Sequence, residues 1–352
     1  MKKMLAIAIL TAAAGTANAQ SSVTLLGDIG GGVRWVNGVK GGSQLGFDND
    51  IIDGSGFTIK GTEDLGGNLK AIFDLESVFA SGTGALSTAG TLFTNAAYVG
   101  ITGNFGRITL GRQLSAFEDL AVVLDPSAAR GALIAIVPAA IYGANFFALD
   151  TRFNNTVKYR DKVGGLTFSG SYSFGGIAGN TRAGSSFSAA TLYQYQTLLV
   201  GAGYQKTYSA NASQSAAVLE AGSALQLGAA RLYLNYSDFS VTGASAQAPE
   251  RRDRIPAGGI VYQITPAFQV TVAFYDDIAS NLSNVNGAIG HKVTSYAIAE
   301  YFLSKRTELY AEVDHNGFSG AYKTDPINVA VFNLSPGATS TTGISVGMMM
   351  QF

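Results

Sequence analysis

Apolar and polar residues alternate along most of this chain with a period of two, the pattern of β-strands that have one apolar and one polar face. In the first such segment the apolar residues fall at odd positions: Val23, Leu25, Ile29, Val33 and Trp35. Its polar residues fall at even positions: Ser22, Thr24, Asp28 and Arg34. Beyond the first twenty residues the longest apolar run, 132–141, contains a proline and is far shorter than the ~18 to 20 residues of a spanning helix. The chain is therefore predicted to be all-β.

Two kinds of connection alternate between these segments. Short turn signals lie at 63–67, 102–105, 161–165, 264–267 and 303–306, and longer polar stretches lie at 175–186, 211–215, 241–252, 277–292 and 317–342. The pattern contains about sixteen segments, an even number, as closure of an antiparallel barrel with both ends on one rim requires. We therefore predict an up-and-down barrel with two unlike rims.

A soluble sandwich and a membrane barrel both produce period-two strands, but they differ in where the apolar face points. Here charged residues recur on the polar face of successive segments, and Phe352 ends the last one. Aromatic residues fall near predicted strand ends, where an interfacial belt would lie: Trp35, Tyr98, Tyr159, Tyr204, Phe239, Tyr275, Tyr301 and Phe302. These features favour an antiparallel transmembrane β-barrel over a soluble sandwich or a secreted adhesin.

The first nineteen residues have the features of a secretory signal peptide. Lys2 and Lys3 precede a short apolar run, and the tripeptide at 17–19 reads Ala-Asn-Ala, an A-x-A cleavage site. We therefore predict a signal peptide at 1–19, followed by one barrel domain at 20–352.

Composition excludes most catalytic and metal-binding chemistry. The chain has no cysteine and two histidines, His291 and His315, which excludes thiol nucleophiles and Cys/His metal sites. Its 23 basic and 24 acidic residues are scattered, so no nucleic-acid-binding surface is indicated. A barrel enzyme would need a nucleophile, a base and an orienting acid together, and the only imidazoles fall in or beside predicted loops. We predict no catalytic residues, no metal, no cofactor and no enzymatic activity.

Seven local strings, in order along the chain, resemble the general porins of Gram-negative outer membranes, especially the β-proteobacterial group. They are SVTLLG (22–27), GTEDLGGNLKA (61–71), AYVGI (97–101), LGRQ (110–113), RFNNTVKY (152–159), LSKRT (303–307) and VGMMMQF (346–352). The resemblance implies a 16-stranded barrel that forms a homotrimer in the outer membrane, in contact with lipid and lipopolysaccharide. It also implies a third outer loop that folds into the lumen as a constriction. One connection, about 114–151, is long enough for that loop.

The resemblance also suggests which charged residues face one another across the lumen. In the family, acidic groups on the inward loop oppose basic groups on the wall, which creates a transverse field. The loop acids are Glu118, Asp119 and Asp125. Residue parity places four basic residues on the wall, namely Arg34, Lys60, Arg152 and Lys158. Lys60 and Arg152 match basic positions of the family pattern, and Glu76 matches its inward acid.

Two positions depart from the family pattern. Gly56 and Asn95 stand where relatives often carry arginine. The wall nevertheless keeps the acids Asp28 and Asp74 beside Glu76. We therefore expect a more neutral or wider constriction, without strong anion selectivity.

The resemblance implies a channel for passive diffusion of small hydrophilic solutes and ions. The alternative is a substrate-selective porin for partly apolar or aromatic solutes, because the second half of the long loop is rich in apolar residues: 132–137, Ile141, Tyr142, Phe146 and Phe147. This segment either packs against the inner wall or the trimer seam, or it lines the constriction. The sequence leaves both readings open.

Overall fold

The computed structural model describes residues 21–49, 52–128 and 143–352. The predicted signal peptide and the apolar segment 132–141 therefore lie outside the described residues. No helix among the described residues is both long enough and apolar enough to cross a membrane. The two longest helices within the described residues are short: α1 (Ala116–Leu124) and α2 (Pro326–Phe332).

Seventeen strands in the described residues form one antiparallel sheet that closes on itself, because β1 pairs with β17. The strands are β1 (Ser22–Val39), β2 (Gly42–Asp48), β3 (Gly56–Gly66), β4 (Leu69–Val78), β5 (Ala96–Gly103), β6 (Gly106–Gln113), β7 (Phe153–Val163), β8 (Leu166–Ser173), β9 (Ser186–Tyr195), β10 (Leu198–Tyr208), β11 (Ser215–Leu227), β12 (Ala230–Val241), β13 (Arg251–Thr265), β14 (Phe268–Ser280), β15 (Gly290–Phe302), β16 (Thr307–Phe318) and β17 (Ser340–Gln351).

Two of these strands share one position in the barrel wall. The first part of β1 pairs with β3, from Ser22 opposite Thr62 to Asp28 opposite Gly56. A later part of β1 pairs with β2, beginning with Gly32 opposite Asp48. Between β2 and β3 the described residues 49 and 52–55 belong to no strand, and β3 runs in the same direction as β2 because both pair antiparallel with β1. The barrel therefore has the predicted sixteen strand positions, and the interruption of the second position is a feature that the sequence pattern did not predict.

The two rims differ as predicted. One rim carries the short turns 67–68, 104–105, 164–165, 196–197, 228–229, 266–267 and 303–306, together with the beginning of β1 and the end of β17. The other rim carries the longer connections 79–95, 114–152, 174–185, 209–214, 242–250, 281–289 and 319–339, with 40–41 as its one short connection. We call these the short-turn rim and the long-loop rim.

Residue parity also predicts the two faces of the wall. Apolar odd residues of β1 such as Val23 and Leu25 face outward, with 69% and 60% of their surface accessible. On β11 to β17 the inward-facing residues are mostly buried, and they include most of the charged side chains of those strands. The placement of Tyr98, Phe239 and Tyr275 in an aromatic belt is wrong, because all three point inward. The Tyr98 hydroxyl donates to inward Asp74. Phe239 and Tyr275 are almost completely buried. They pack against segments that lie inside the barrel.

The loop 319–339 lies across part of the long-loop rim. On one side Leu334 forms a β-bridge with Val39 at the end of β1. On the other side the Tyr322 hydroxyl lies 3.0 Å from Asp253 and 2.7 Å from Asp277. Phe332 of α2 packs on a buried inner cluster that is formed by Ile52, Ala273, Tyr275, Tyr296, Ile298, Tyr310 and Met349. The lumen beside β14 to β17 is therefore filled by side chains.

The chain end closes the seam between the first and last strands. Gly27 and Phe352 exchange two backbone hydrogen bonds of 3.1 and 2.9 Å. The Phe352 ring lies over Gly27, where any side chain would overlap it. A side chain at position 27 would therefore have to displace the Phe352 ring from the seam.

We predict that Gly27→Val destabilises the barrel by about 1–3 kcal/mol, the usual cost of overpacking a filled site. The valine methyl groups would displace the Phe352 ring from the seam. The measurement is the urea midpoint of refolded protein in detergent. Gly46→Val is the matched control, because a Cβ at Gly46 would have no neighbour within 4 Å. Equal midpoints for the two variants would contradict this account of the seam.

Candidate pore lining

Helix α1 begins the long connection between β6 and β7 and lies on the polar side of the wall. The Ser115 side chain caps the helix by accepting a hydrogen bond of 3.1 Å from the Glu118 amide. The apolar side chains Leu120 and Leu124 pack on Ala190, Leu199 and Ala224 of the wall strands. Glycines at 201 and 203 allow this close approach, because a Cβ at either position would lie 2.6 Å from Leu120.

Polar contacts hold both ends of α1. At its beginning, the Ala116 amide donates to the hydroxyls of Ser171 on β8 and Ser188 on β9, at 3.1 and 3.0 Å. At its end, Asn235 of β12 donates to the Leu124 carbonyl at 2.6 Å, and the Tyr275 hydroxyl of β14 donates to Asp125. These partners point away from the outward apolar face, so the described part of this loop follows the inner wall from β8 to β14.

The other end of the loop is held by Arg112, at the end of β6. Its guanidinium makes two hydrogen bonds to the Asp150 carboxylate, at 2.8 and 3.0 Å, and a third to the Thr94 carbonyl. Asp150 also accepts from the Arg152 amide at 2.9 Å. Alternation of inward and outward residues does not identify Arg112 as a lumen residue, because the pairing of β6 with β7 shifts its register after Gly111. Its position directly before the long loop is the signal that could have identified it.

Of the loop acids, Asp119 contacts a predicted wall cation directly. Its carboxylate lies 2.9 Å from the Lys158 amine, which also donates to the Leu114 carbonyl at 2.9 Å. Asp125 is only 5% exposed and is bonded to Tyr275 and to Ser127. Asp125 therefore acts as an anchor for the loop.

Glu118 is fully buried, and neither of its carboxylate oxygens has a hydrogen-bond partner among the described residues. Burial raises the pKa of Glu118 well above its usual range, and the charges of Glu220 and Asp119 act in the same direction. The nearby positive charge of Arg152 opposes this shift. Glu118 therefore does not present a carboxylate to water in the described structure.

Arg152 lies next to Asn95 and near Glu76, at the end of the loop. Its Nε donates to the Asn95 carbonyl at 3.1 Å, and the Asn95 amide donates to the Glu76 carboxylate at 2.8 Å. Burial lowers the pKa of Arg152, whereas the charges of Glu76 and Glu118 favour its protonated form. The structure thus brings together three of the residues that the sequence assigns to the constriction.

The remaining wall residues pair within the wall. Arg34 lies 3.1 Å from Glu312 and 2.5 Å from Asp314, both on β16. Lys60 lies 3.6 Å from Asp74 on the neighbouring strand. Asp28 is half-buried on β1. Arg34 therefore faces wall acids, and no loop acid among the described residues contacts it.

The structure gives a reason for glycine at position 56. A Cβ at Gly56 would lie 2.6 Å from the Ser77 carbonyl oxygen of β4. An arginine there would require a local shift of two paired strands. The other departure, Asn95, fills its position by bridging Glu76 and Arg152.

A closed sixteen-position barrel with unlike rims and a charged inner face is the architecture of outer-membrane channels. A family model for Gram-negative porins matches residues 6–321. This chain belongs to the Gram-negative porin family. It is therefore an integral β-barrel of the Gram-negative outer membrane.

Curated relatives include an outer membrane porin protein of Bordetella pertussis, 35% identical over 190 residues, which are 49% of this chain and 48% of that protein. Outer membrane porin protein 32 of Delftia acidovorans is 42% identical over 114 residues, 32% of each chain. The porin thus spans about half, or less, of the length of the curated relatives that it matches.

Solved structures share the fold over nearly the whole chain. An anion-selective porin from Comamonas acidovorans superposes with a TM-score of 0.77 at 22% identity, covering 95% of this chain and 100% of that one. OmpT of Vibrio cholerae gives a TM-score of 0.71 at 12% identity, covering 94% and 98%. At these identities the likeness establishes the barrel fold alone.

We predict that Glu118→Gln makes the stability of this porin less sensitive to alkaline pH. Because the pKa of Glu118 is raised in the folded state, the unfolded state loses this proton first, and stability falls as pH rises above the usual glutamate range. Glutamine does not ionise, so the variant should lose this fall. The measurement is the melting temperature at several pH values. Exposed Glu63→Gln is the control, and parallel curves for wild type and Glu118→Gln would contradict the prediction.

Proposed function

We propose that this porin is a water-filled channel for passive diffusion of small hydrophilic solutes and ions, and that it is not an enzyme. The observation that carries the proposal is the closed wall with a charged inner face, part of which is accessible to water. In β3, for example, the inward Lys60 side chain is 51% exposed. A polar, accessible lining lowers the cost of moving a hydrated solute through the membrane.

We infer that the passage follows one side of the barrel. Inward residues of β14 to β17 are buried beneath the inner cluster and the loop 319–339. On β3 to β8 many inward residues remain half-buried or exposed. The proposed lining on that side combines residues of the wall and of the loop: Asp28, Lys60, Glu76, Asn95, Asp119, Arg152 and Lys158. Arg34, Asp74, Glu118 and Asp125 then support this lining from paired or buried positions.

The described apolar end of the long loop favours the general channel over a selective one. Phe146 packs on Phe239 of the wall with a ring separation of 5.2 Å, and on Phe147 at 5.5 Å. The Arg251 guanidinium lies 5.9 Å from the Phe146 ring. These rings are engaged with the wall, so they offer little free apolar surface to a solute. The segment 132–141, on which the alternative depends, lies outside the described residues.

We further propose a homotrimer in contact with membrane lipid and lipopolysaccharide. One solved structure with a similar fold is the trimer form of OmpT of Vibrio cholerae. On the outward face near the long-loop rim, Arg252 and Arg254 line a cavity of about 500 Å³ together with His291. Exposed apolar side chains such as Phe274 lie on the same face toward the other rim. Cations above an apolar band suit a lipid that has phosphate groups above acyl chains.

Planar-bilayer recording tests the proposed function. Purified protein should produce large conductance steps, in threes if it is a trimer, with weak ion selectivity in a salt gradient. Small steps that aromatic carboxylates block would instead support the substrate-selective alternative. Absence of steps from correctly folded, heat-modifiable protein would overturn both.

We predict that Arg152→Ala lowers the permeability of chloride relative to potassium. Removal of this guanidinium leaves the charge of Glu76 less compensated in the lining. The measurement is the zero-current potential in a potassium chloride gradient. Arg182→Ala, which removes an exposed cation from the loop 174–185, is the matched control. An unchanged potential for Arg152→Ala would remove Arg152 from the proposed lining.

A further inference from the structure

Five inward side chains form a continuous band across neighbouring strands near the short-turn rim. They are Lys60 on β3, Asp74 on β4, Tyr98 on β5, Arg107 on β6 and Arg160 on β7. Lys60 contacts Asp74 at 3.6 Å, the Tyr98 hydroxyl donates to Asp74 at 3.1 Å, and Arg107 donates to the Tyr98 oxygen at 2.6 Å. With three cations and one acid, this band carries a formal charge of +2.

Two of its members, Arg107 and Arg160, stand directly opposite one another in the pairing of β6 with β7. Directly opposed residues of antiparallel strands have Cα atoms about 4.5–5.5 Å apart, and like charges there are destabilising. Arg160 has the same parity as Lys158, whose amine contacts the inner loop, and Arg107 contacts inward Tyr98. Both guanidinium groups therefore point into the lumen.

These two arginines have no acidic partner, in contrast to three other inward cations. Arg34, Lys158 and Arg251 each have a carboxylate within 3.1 Å. No carboxylate of the described residues lies within 4.0 Å of Arg107 or Arg160. Both are exposed, and Arg160 lines a recess together with Asp119 and Leu120 of α1. Lys158 already neutralises Asp119, so the positive charge at the recess is uncompensated.

The strand opposite β7 in the barrel carries one inward acid near the same rim. With β2 and β3 in one position, β15 is the eighth position from β7 and is diametrically opposite it in a ring of sixteen. Glu300 lies on the inward face of β15, two residues from its short-turn end. Arg107 and Arg160 lie at a similar distance from that rim. Glu300 is 2% exposed and accepts a hydrogen bond of 2.9 Å from Gln269, so it presents no accessible carboxylate to the two arginines.

We propose that Arg107 and Arg160 form a binding site for small oxyanions, carboxylates or phosphates, at the short-turn end of the lumen. Two guanidinium groups from opposed residues can each donate two hydrogen bonds to one oxyanion, and Tyr98 holds Arg107 in place from its other side. This inference deepens the proposed channel function and rests on it. The site makes anion transfer depend on residues that lie outside the constriction loop.

The test compares wild type with Arg107→Gln, Arg160→Gln and the double variant, using inorganic phosphate as the probe. Phosphate should reduce the chloride current of wild type, and the double variant should require about tenfold more phosphate for the same block, since two charge-assisted contacts are lost. Arg160→Lys should retain the charge but weaken the block, because lysine lacks the fork of donors. Arg182→Gln, one charge removed at the opposite rim, should behave as wild type.

Calorimetric titration of phosphate into detergent-solubilised, heat-modifiable protein separates the site from the channel. Phosphate binding that is lost in the double variant and kept in Arg182→Gln supports the site even if the wild type does not conduct. Conducting wild type whose phosphate block and binding are unchanged in the double variant overturns the site while the channel function stands. An equal loss of block in Arg182→Gln would also overturn it, because the effect would then reflect net charge alone.

Discussion

Closure of the hydrogen-bonded wall is the constraint on which this structure depends, because each unpaired backbone group facing hydrocarbon costs several kcal/mol. The wall is interrupted where the chain leaves it between β2 and β3. There the Ser55 hydroxyl accepts a hydrogen bond of 3.0 Å from the Gly30 amide and donates one of 3.2 Å to the Gly30 carbonyl. The Ser55 side chain thus replaces the backbone hydrogen bonds that Gly30 would otherwise make to a neighbouring strand. The connection between β2 and β3 can therefore pack inside the barrel without opening its wall.

Three segments together make the lumen asymmetric: the connection between β2 and β3, the helix α1 and the loop 319–339. Ile52 and Phe332 pack on the inner aromatic cluster beside β14 to β17, and Asp125 is bonded to Tyr275 in the same region. Inward side chains on that side are consequently buried, whereas Lys60, Arg107 and Arg160 on the other side remain accessible. The packing of these three segments inside the barrel therefore determines which part of the polar wall is accessible to water.

Period-two alternation and turn signals were sufficient to predict the sixteen wall positions and the two rims, because strand faces and turns are local properties. The outward direction of the apolar face had to be inferred from the charges on the polar face and from the resemblance to porins. Alternation cannot reveal which other segments of the chain pack against a given face of a strand. Phe239 and Tyr275 therefore looked like belt residues, although inner segments cover them. Glu118 likewise looked like a pore acid, but it is fully buried beneath contacts that come from distant strands. The interruption at 49–55 was missed because both of its flanks keep strand parity.

The same distinction applies to charge. A sequence shows that Arg34 and Lys158 are inward cations, but only the folded wall shows that Glu312 and Asp119 lie beside them. A paired cation and carboxylate leave a dipole, whose field weakens with distance faster than that of a single charge. The long-range field in the lumen is therefore set by the charges that remain unpaired. Register places two such charges, Arg107 and Arg160, directly opposite one another, so part of this field comes from cross-strand pairing and not from the inward loop.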